Sequence, residues 1–343
     1  MIFPVNLLLP HPRETLIRLN FLLSLTDTSC MPEIEQAILS APQPHAGSVR
    51  AAPLTLLACA IASVVTVGIM AESTQPTWAQ MAKWGYLPAD RIWDGALWAL
   101  ISSAFVHVSF WHLVLNVCWL WHLGGAVERT IGSFRLLVFI IVAAFVTSAL
   151  QLAVSGSTGM GASGIVYALL GLMWRSRHRV PYFAEILGEQ TAPLFFVWFI
   201  ACLVSTYAGF ANIGNTAHFS GLLFGVLIAE CHVRASHRRL AAVAAALLCV
   251  LSLLAARSNP WSVRWLEHRA MEMHRAGQYE IAALTYERSL SFGADSAWAF
   301  HNLALTYFEM RDTTRYAAAL RSLRVAAPAE ADSLELRLGD ATR

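Results

Sequence analysis

Seven long apolar runs, nearly free of charged side chains, follow one another between residues 54 and 256. The longer runs approach the roughly 20 residues that a helix needs to cross a bilayer. Only 13% of all residues are charged, against about 25% in a typical soluble domain. The sequence therefore predicts an all-α, polytopic membrane protein. The runs are Leu54–Met70, Trp111–Leu123 (with an apolar lead from Ala96), Leu136–Val154, Ala162–Trp174, Ala192–Phe210, Thr216–Cys231 and Leu240–Ala256.

Composition divides the chain into four segments. We expect residues 1–50 to be a poorly ordered N-terminal tail, since prolines interrupt its short apolar stretch. Residues 51–235 hold six of the runs and form the predicted transmembrane core, and residues 236–258 form a seventh transmembrane helix. After residue 259 charge rises and the long apolar runs stop, which predicts a separate helical domain at 259–343.

The arginines predict the orientation of the chain. Loops 155–160 and 208–215 carry no charge, whereas the loops after the second, fourth and sixth runs all carry arginine. Because arginine-bearing loops stay on the cytoplasmic side, we expect a multi-pass protein of the cell (inner) membrane with a cytoplasmic N-terminus. With seven spans, the C-terminal domain is then predicted to lie on the non-cytoplasmic side. The arginines are Arg129, Arg135, Arg175, Arg177, Arg179, Arg234, Arg238 and Arg239.

A period of 34 residues runs through the C-terminal segment. Ala270 corresponds to Ala304, and Met273 to Tyr307, one period later. This is the period of tetratricopeptide (TPR) repeats, so the segment is predicted to be a TPR-like domain that binds a protein partner. An amphipathic helical tail without specific repeats is the alternative.

One serine lies where an uncharged loop becomes an apolar run. Ser163 is enclosed by small residues, and a serine in such a place commonly serves helix packing. His218, near the start of the sixth run, offers an alternative because an imidazole can activate a hydroxyl as general base. No acidic residue stands out within the runs to orient His218, so we infer a catalytic dyad. A histidine bonded for helix packing is the other interpretation of His218.

Two further side chains supply hydrogen-bond donors. His112 and Asn116 are four residues apart, on one face of a helix. Together with the backbone N–H of Ser163 they can stabilise the oxyanion of an acyl transfer. An interhelical hydrogen bond is the alternative role of Asn116.

Small and aromatic neighbours support this predicted site. Gly161 and Gly164 allow close backbone approach to Ser163, and Gly221 lies on a small face of the sixth run. Tyr167, one helical turn after the serine, can stack on the imidazole of His218. An ordinary interfacial aromatic is the other interpretation of Tyr167.

These motifs resemble the rhomboid family over about residues 54–232. The resemblance rests on Gly-Ala-Ser-Gly at 161–164, His112-x-x-x-Asn116, Ala217-His218-x-x-Gly221-x-x-x-Gly225 and Leu123–Glu128. It implies a rhomboid-like six-helix core, a Ser163–His218 dyad, and an oxyanion hole from His112, Asn116 and the Ser163 amide. It also implies an intramembrane serine endopeptidase that cleaves transmembrane protein substrates within the lipid bilayer. The family often has arginine after its loop tryptophan, whereas Ala99 follows Trp98 here.

Other functional classes fit the sequence less well. A non-catalytic adaptor or client-binding pseudoprotease would use the TPR-like tail, but inactive relatives typically lose the serine or the histidine. A metal transporter using His107, His112, Cys118 and His122 lacks acidic partners within the runs. No metal or cofactor motif appears, and no basic helix supports nucleic-acid binding.

Overall fold

The computed structural model describes residues 52–73 and 75–341, and every regular element among them is helical. The predicted N-terminal tail, residues 1–50, lies outside the described residues. Long helices that match the predicted runs are Pro53–Glu72, Ser133–Ser155, Ser163–Ser176, Thr191–Tyr207, Asn215–Val233 and Arg238–Arg257. Shorter helices are Trp78–Lys83, Ala89–Trp93, Ala99–Ser102, Phe110–Trp119, Gly125–Ile131 and Pro181–Leu187, with a 3-10 turn at Ser103–Phe105 and a π-helical turn at Leu120–Gly124.

By length and hydropathy, four of the described helices can cross a membrane, or up to six if two bent pairs each count as one span. One bent pair differs from its prediction. The apolar lead from Ala96 does not extend the second run as one straight helix, because Ala99–Phe105 meets Phe110–Ile131 at 100°. The bend falls next to Ser109, whose hydroxyl accepts a hydrogen bond from the His112 N–H and so starts a new helix there.

The helix Ser163–Ser176, called here the Ser163 helix, is too short to span alone. Its 14 residues extend about 21 Å at 1.5 Å per residue, against the ~30 Å of a bilayer core. Nearly all of its residues are buried among other helices. Ser163 therefore begins a helix that other helices largely enclose, and its own side chain is half-buried.

A longer helix lies parallel to the Ser163 helix. This His218 helix, Asn215–Val233, also carries its functional candidate near its N-terminus. At the opposite ends of the two helices the guanidinium of Arg175 forms an ion pair with the carboxylate of Glu230. Matching ends therefore lie side by side, which brings Ser163 and His218 to the same level.

Glycines allow the two helices to approach at backbone distance. A methyl group at Gly221 would overlap the carbonyl oxygen of Gly164, and one at Gly225 would overlap the carbonyl oxygen of Ala168. On the Ser163 helix, a methyl group at Gly171 would overlap the carbonyl oxygen of Leu222. Each obstacle is main chain and cannot move aside as a flexible side chain would. The spacing of the two helices depends on these three glycines.

A buried carboxylate joins the first helix to the helix Gly125–Ile131. Glu128 accepts hydrogen bonds from the backbone N–H groups of Leu54 and Thr55 at 2.8 and 2.7 Å. It also accepts from the hydroxyls of Thr55 and Ser133 at 2.6 and 2.7 Å. The first turn of a helix has unpaired N–H groups and a positive dipole end, so a carboxylate is a suitable cap there.

The C-terminal segment folds as two helical pairs and one further helix. Ala270 and Ala304, one predicted period apart, are both fully buried, as are Ala282 and Tyr286. The turns between paired helices contain Gly277 and a left-handed Arg311. The observed helices are Val263–Arg275, Tyr279–Ser291, Ser296–Glu309, Thr313–Ala326 and Pro328–Ala341. Residues 34 positions apart, such as Ala270 and Ala304, thus occupy equivalent places in the first helix of each pair. The TPR assignment stays a prediction.

The glycine contacts predict a cost for added volume. Replacing Gly225 by alanine should destabilise the protein by about 1–3 kcal/mol, the usual penalty for overpacking, because the carbonyl of Ala168 blocks the new methyl group. Leu223→Ala on the same helix is the matched control, since Leu223 is exposed. Reversible unfolding in detergent measures both variants. Equal stability of Gly225→Ala and the parent protein would contradict the proposed contact.

Candidate active site

Ser163 is the first residue of its helix, where the chain leaves the loop at residues 156–162. Its side chain is half-buried. N–H groups in the first turn of a helix have no partner within that helix. The backbone N–H of Ser163 is therefore available as a donor beside its own hydroxyl.

His218 contacts Ser163 directly. The imidazole Nε2 lies 2.8 Å from the Ser163 Oγ, although 55 residues separate them along the chain. This is a normal length for a hydrogen bond between a hydroxyl donor and a nitrogen acceptor. The sequence-predicted pair is thus brought into contact across two helices.

The other side of the imidazole is apolar and aromatic. The His218 Nδ1 is buried without a hydrogen-bond partner among the described residues. The ring of Tyr167 stacks on the imidazole with centroids 4.6 Å apart and planes 21° apart. Among the described residues, ring packing rather than a carboxylate orients His218, and the dyad stays a prediction.

His112 reaches the loop that leads to Ser163. A Cβ at Gly161 would lie 2.6 Å from the His112 Nε2, so the ring lies directly against the backbone two residues before the serine. Gly161 also has φ +93°, a conformation that side-chain-bearing residues rarely adopt. Glycine is therefore required at 161 for two separate reasons, its backbone angle and the His112 ring.

Asn116 is buried on the same helix as His112. Its amide nitrogen donates a hydrogen bond to the backbone carbonyl of His112 at 2.8 Å. An amide nitrogen carries two hydrogens, so one N–H remains for another acceptor. This bond lies within one helix. It is therefore not the interhelical hydrogen bond that was the alternative role of Asn116.

His107 is a site residue that the sequence reasoning missed. It is fully buried, and its Nε2 accepts a hydrogen bond from the Ala162 N–H at 3.3 Å. Its Nδ1 lies 3.4 Å from the Thr66 hydroxyl, which itself donates to a backbone carbonyl. Both contacts are satisfied by a neutral imidazole protonated on Nδ1. The ring also meets His112 edge-on at 4.8 Å, so His107 supports both the loop and the predicted oxyanion donor.

Gln151 is a second missed residue. Its side-chain carbonyl accepts a hydrogen bond from the Ala217 N–H at 3.1 Å, in the first turn of the His218 helix. The amide nitrogen donates to the Ser155 hydroxyl at 3.0 Å. Gln151 thereby fixes the helix end that carries His218. The available signal was one amide within the otherwise apolar run Leu136–Val154.

The four residues of the alternative metal site do not form a common cluster. His107 and His112 contact each other, whereas the Nε2 of His122 lies 3.2 Å from the carbonyl oxygen of Ile186. Cys118 is exposed and forms no disulfide with another described cysteine. The two histidines contact the loop before Ser163, and this use accounts for the burial of His107.

Comparison with known proteins gives concordant matches. Residues 94–235 match the family model described as "Rhomboid domain". The chain is 34% identical over 182 residues to "Rhomboid protease GlpG" of Serratia proteamaculans, covering 52% of this chain and 63% of that protein. It is 32% identical over 189 residues to the protein of the same name from Yersinia pseudotuberculosis, covering 55% of this chain and 66% of that protein. The chain thus spans just under two thirds of the length of these relatives.

The Ser163–His218 contact predicts a chemically reactive serine. A fluorophosphonate reagent should label the protein at Ser163, because a hydroxyl bonded to a neutral imidazole is an activated nucleophile. Ser163→Ala and His218→Ala should each abolish labelling. Mass spectrometry of the labelled peptide identifies the position, and Ser176→Ala, at the far end of the same helix, is the matched control. Labelling that persists in Ser163→Ala would contradict the prediction.

Proposed function

Because residues 94–235 match the rhomboid domain model, we propose that the chain is an intramembrane serine endopeptidase. Its substrates would be transmembrane segments of other membrane proteins, cut within the bilayer without a cofactor. The observation that carries the proposal is the 2.8 Å contact between the His218 Nε2 and the Ser163 Oγ. The names of the similar proteins support it. They do not favour the adaptor alternative.

In the proposed acylation step, the Ser163 Oγ attacks the carbonyl carbon of the scissile peptide bond. The hydroxyl proton passes to the His218 Nε2, and the carbonyl oxygen becomes an oxyanion. As the C–N bond breaks, the imidazolium returns that proton to the leaving amine. The products are an ester on Ser163 and a free amino terminus.

In the proposed hydrolysis step, water is the nucleophile and the Ser163 Oγ is the leaving group. A water molecule attacks the ester carbon and gives its proton to the His218 Nε2, and the Ser163 Oγ then leaves and recovers the proton. Both steps form an oxyanion. The proposed donors are the Ser163 N–H and the side chains of His112 and Asn116. Loss of one such donor typically costs about 3–4 kcal/mol of transition-state stabilisation.

The substrate must be extended locally before it can react. A helical peptide bonds its own carbonyls, so small or helix-breaking residues near the scissile bond lower the cost of unwinding. The half-buried position of Ser163 at the start of a largely buried helix supports a substrate that reaches it as an extended segment rather than as an intact helix. This is the proposed basis of substrate choice.

The orientation and the tail complete the proposal. Charge-free loops 155–160 and 208–215 support an active site facing the non-cytoplasmic side of the inner membrane, with the C-terminal domain on that same side. We propose that residues 259–343 form two TPR-like repeats, with Pro328–Ala341 as a closing helix, that bind a protein partner. Equivalent burial of Ala270 and Ala304 supports this arrangement.

The central test is cleavage of a single-span protein in proteoliposomes. Ser163→Ala and His218→Ala should each reduce the rate to background, because the nucleophile or the base is lost. Ser176→Ala should cut at the parental rate. Fragment analysis by mass spectrometry measures cleavage and its position. A Ser163→Ala protein that still cuts would leave the client-binding adaptor as the better explanation.

Tyr167 provides a finer test of the dyad geometry. Tyr167→Phe keeps the ring that stacks on His218 and should cut nearly as fast as the parent, since the Tyr167 hydroxyl makes only a 3.4 Å contact with the Phe195 carbonyl. Tyr167→Ala frees the imidazole and should lower kcat about 10- to 100-fold, as expected when a catalytic group loses its orientation. Steady-state kinetics gives kcat for both variants. Equal rates for Phe and Ala would remove the proposed role of the stacking.

A further inference from the structure

The first helix of the C-terminal domain docks beside the loop that precedes Ser163. This docking helix is Val263–Arg275. The Arg264 Nη1 donates a hydrogen bond to the carbonyl of Gly156 at 3.0 Å. Just before the helix, the buried Asn259 donates from its amide to the carbonyl of Ala153 at 2.6 Å. Both acceptors belong to the end of the long helix that leads into the loop.

Gly156 is shaped to receive the arginine. It ends the helix Ser133–Ser155 in a left-handed conformation, with φ +69°. A Cβ at this glycine would lie 2.8 Å from the Arg264 Cδ, so the stem of the arginine lies directly on the Gly156 backbone. The contact therefore combines packing against the main chain with a charge-assisted hydrogen bond.

The rest of the loop is fixed by the membrane domain. Further along, the Thr158 carbonyl accepts a bond from the Tyr86 hydroxyl at 3.0 Å. The Gly161 N–H donates to the Ser103 carbonyl at 3.2 Å, and the Ala162 N–H donates to His107. Arg264 thus secures the beginning of a loop whose end is bonded immediately before the nucleophile.

A second contact fixes the docking helix itself. The His268 Nε2 lies 3.2 Å from a carboxylate oxygen of Asp94 and 3.8 Å from one of Glu272. Its ring also packs on that of Trp93, with centroids 5.5 Å apart. The three ligand-type side chains are close enough to hold a cation, but these pairings already account for their arrangement. They keep Arg264 in register with Gly156.

We propose that Arg264 is a positioning residue for proteolysis, through which the C-terminal domain holds the loop that presents Ser163. This inference rests on the proposed function. The docking helix contacts the start of the loop and leaves Ser163 itself to the membrane domain, so the arginine acts on the geometry of the nucleophile without touching substrate. The loop would lose one of its bonded points without this contact, and the Ser163 amide and hydroxyl would sample positions away from the attacking geometry.

The test uses the full-length protein in proteoliposomes with Arg264→Ala, Arg264→Lys and the control Arg275→Ala. Arg275 is an exposed arginine at the other end of the same helix. We expect Arg264→Ala to lower kcat about tenfold with KM nearly unchanged, because catalysis is sensitive to small misplacements of the reacting groups. Lysine can donate to the Gly156 carbonyl and should restore most of the loss. The control should match the parent.

Hydrogen exchange tests the same contact without substrate. Amides at 157–161 should exchange faster in Arg264→Ala, while those within the helix Ser133–Ser155 stay as protected as in the parent. Faster exchange in both regions would indicate a general loss of stability and would overturn the positioning role. A parental kcat in Arg264→Ala, or no rescue by lysine, would overturn it as well.

The two proposals fail in different ways. If Ser163→Ala cleaved as fast as the parent, the protease assignment would fall whatever Arg264 does. If cleavage required Ser163 but Arg264→Ala kept parental kcat and parental exchange, only the positioning role would fall.

Discussion

The hydrogen bond between Ser163 and His218 depends on how closely two helices can approach. Gly221 and Gly225 face main-chain carbonyls of the Ser163 helix, so a side chain on either would separate the helix axes. A 2.8 Å contact is lost with a separation of about 1 Å, since hydrogen bonds weaken beyond ~3.2 Å. Helix packing through small residues is a common membrane device, and here it also sets the proposed catalytic distance.

Lipid imposes a second constraint, because a buried polar group without a partner is costly there. The chain meets it with hydrogen bonds between distant segments: Glu128 caps the first helix, Gln151 holds the start of the His218 helix, and His107 holds the Ala162 N–H. The His218 Nδ1, which has no hydrogen-bond partner in the described part of the chain, is an exception, and the Tyr167 ring covers it. The absence of a neighbouring carboxylate there is compatible with the proposed dyad, which has no third residue.

Sequence reasoning anticipated features that depend on local pattern. Apolar runs located most long helices, and the motifs around Ser163 and His218 named the pair that comes into contact. It missed the bend after Phe105, since composition stays apolar through it and only the Ser109 cap marks the new helix. It also missed His107 and Gln151 as site residues. Their roles depend on which backbone N–H lies opposite, and that is fixed by tertiary packing between segments 55 and 66 residues apart.

Hydrogen bonds cross the boundary that composition predicts near residue 259. The change in composition near residue 259 separates an apolar core from a charged helical unit. Yet Asn259 and Arg264, just beyond that boundary, donate to carbonyls of the core. An orphan carbonyl at a helix end needs a donor, and here the next domain supplies it at the beginning of the loop before Ser163. A displacement of the docking helix would therefore act on that loop through these two side-chain-to-carbonyl hydrogen bonds, with no intervening residue.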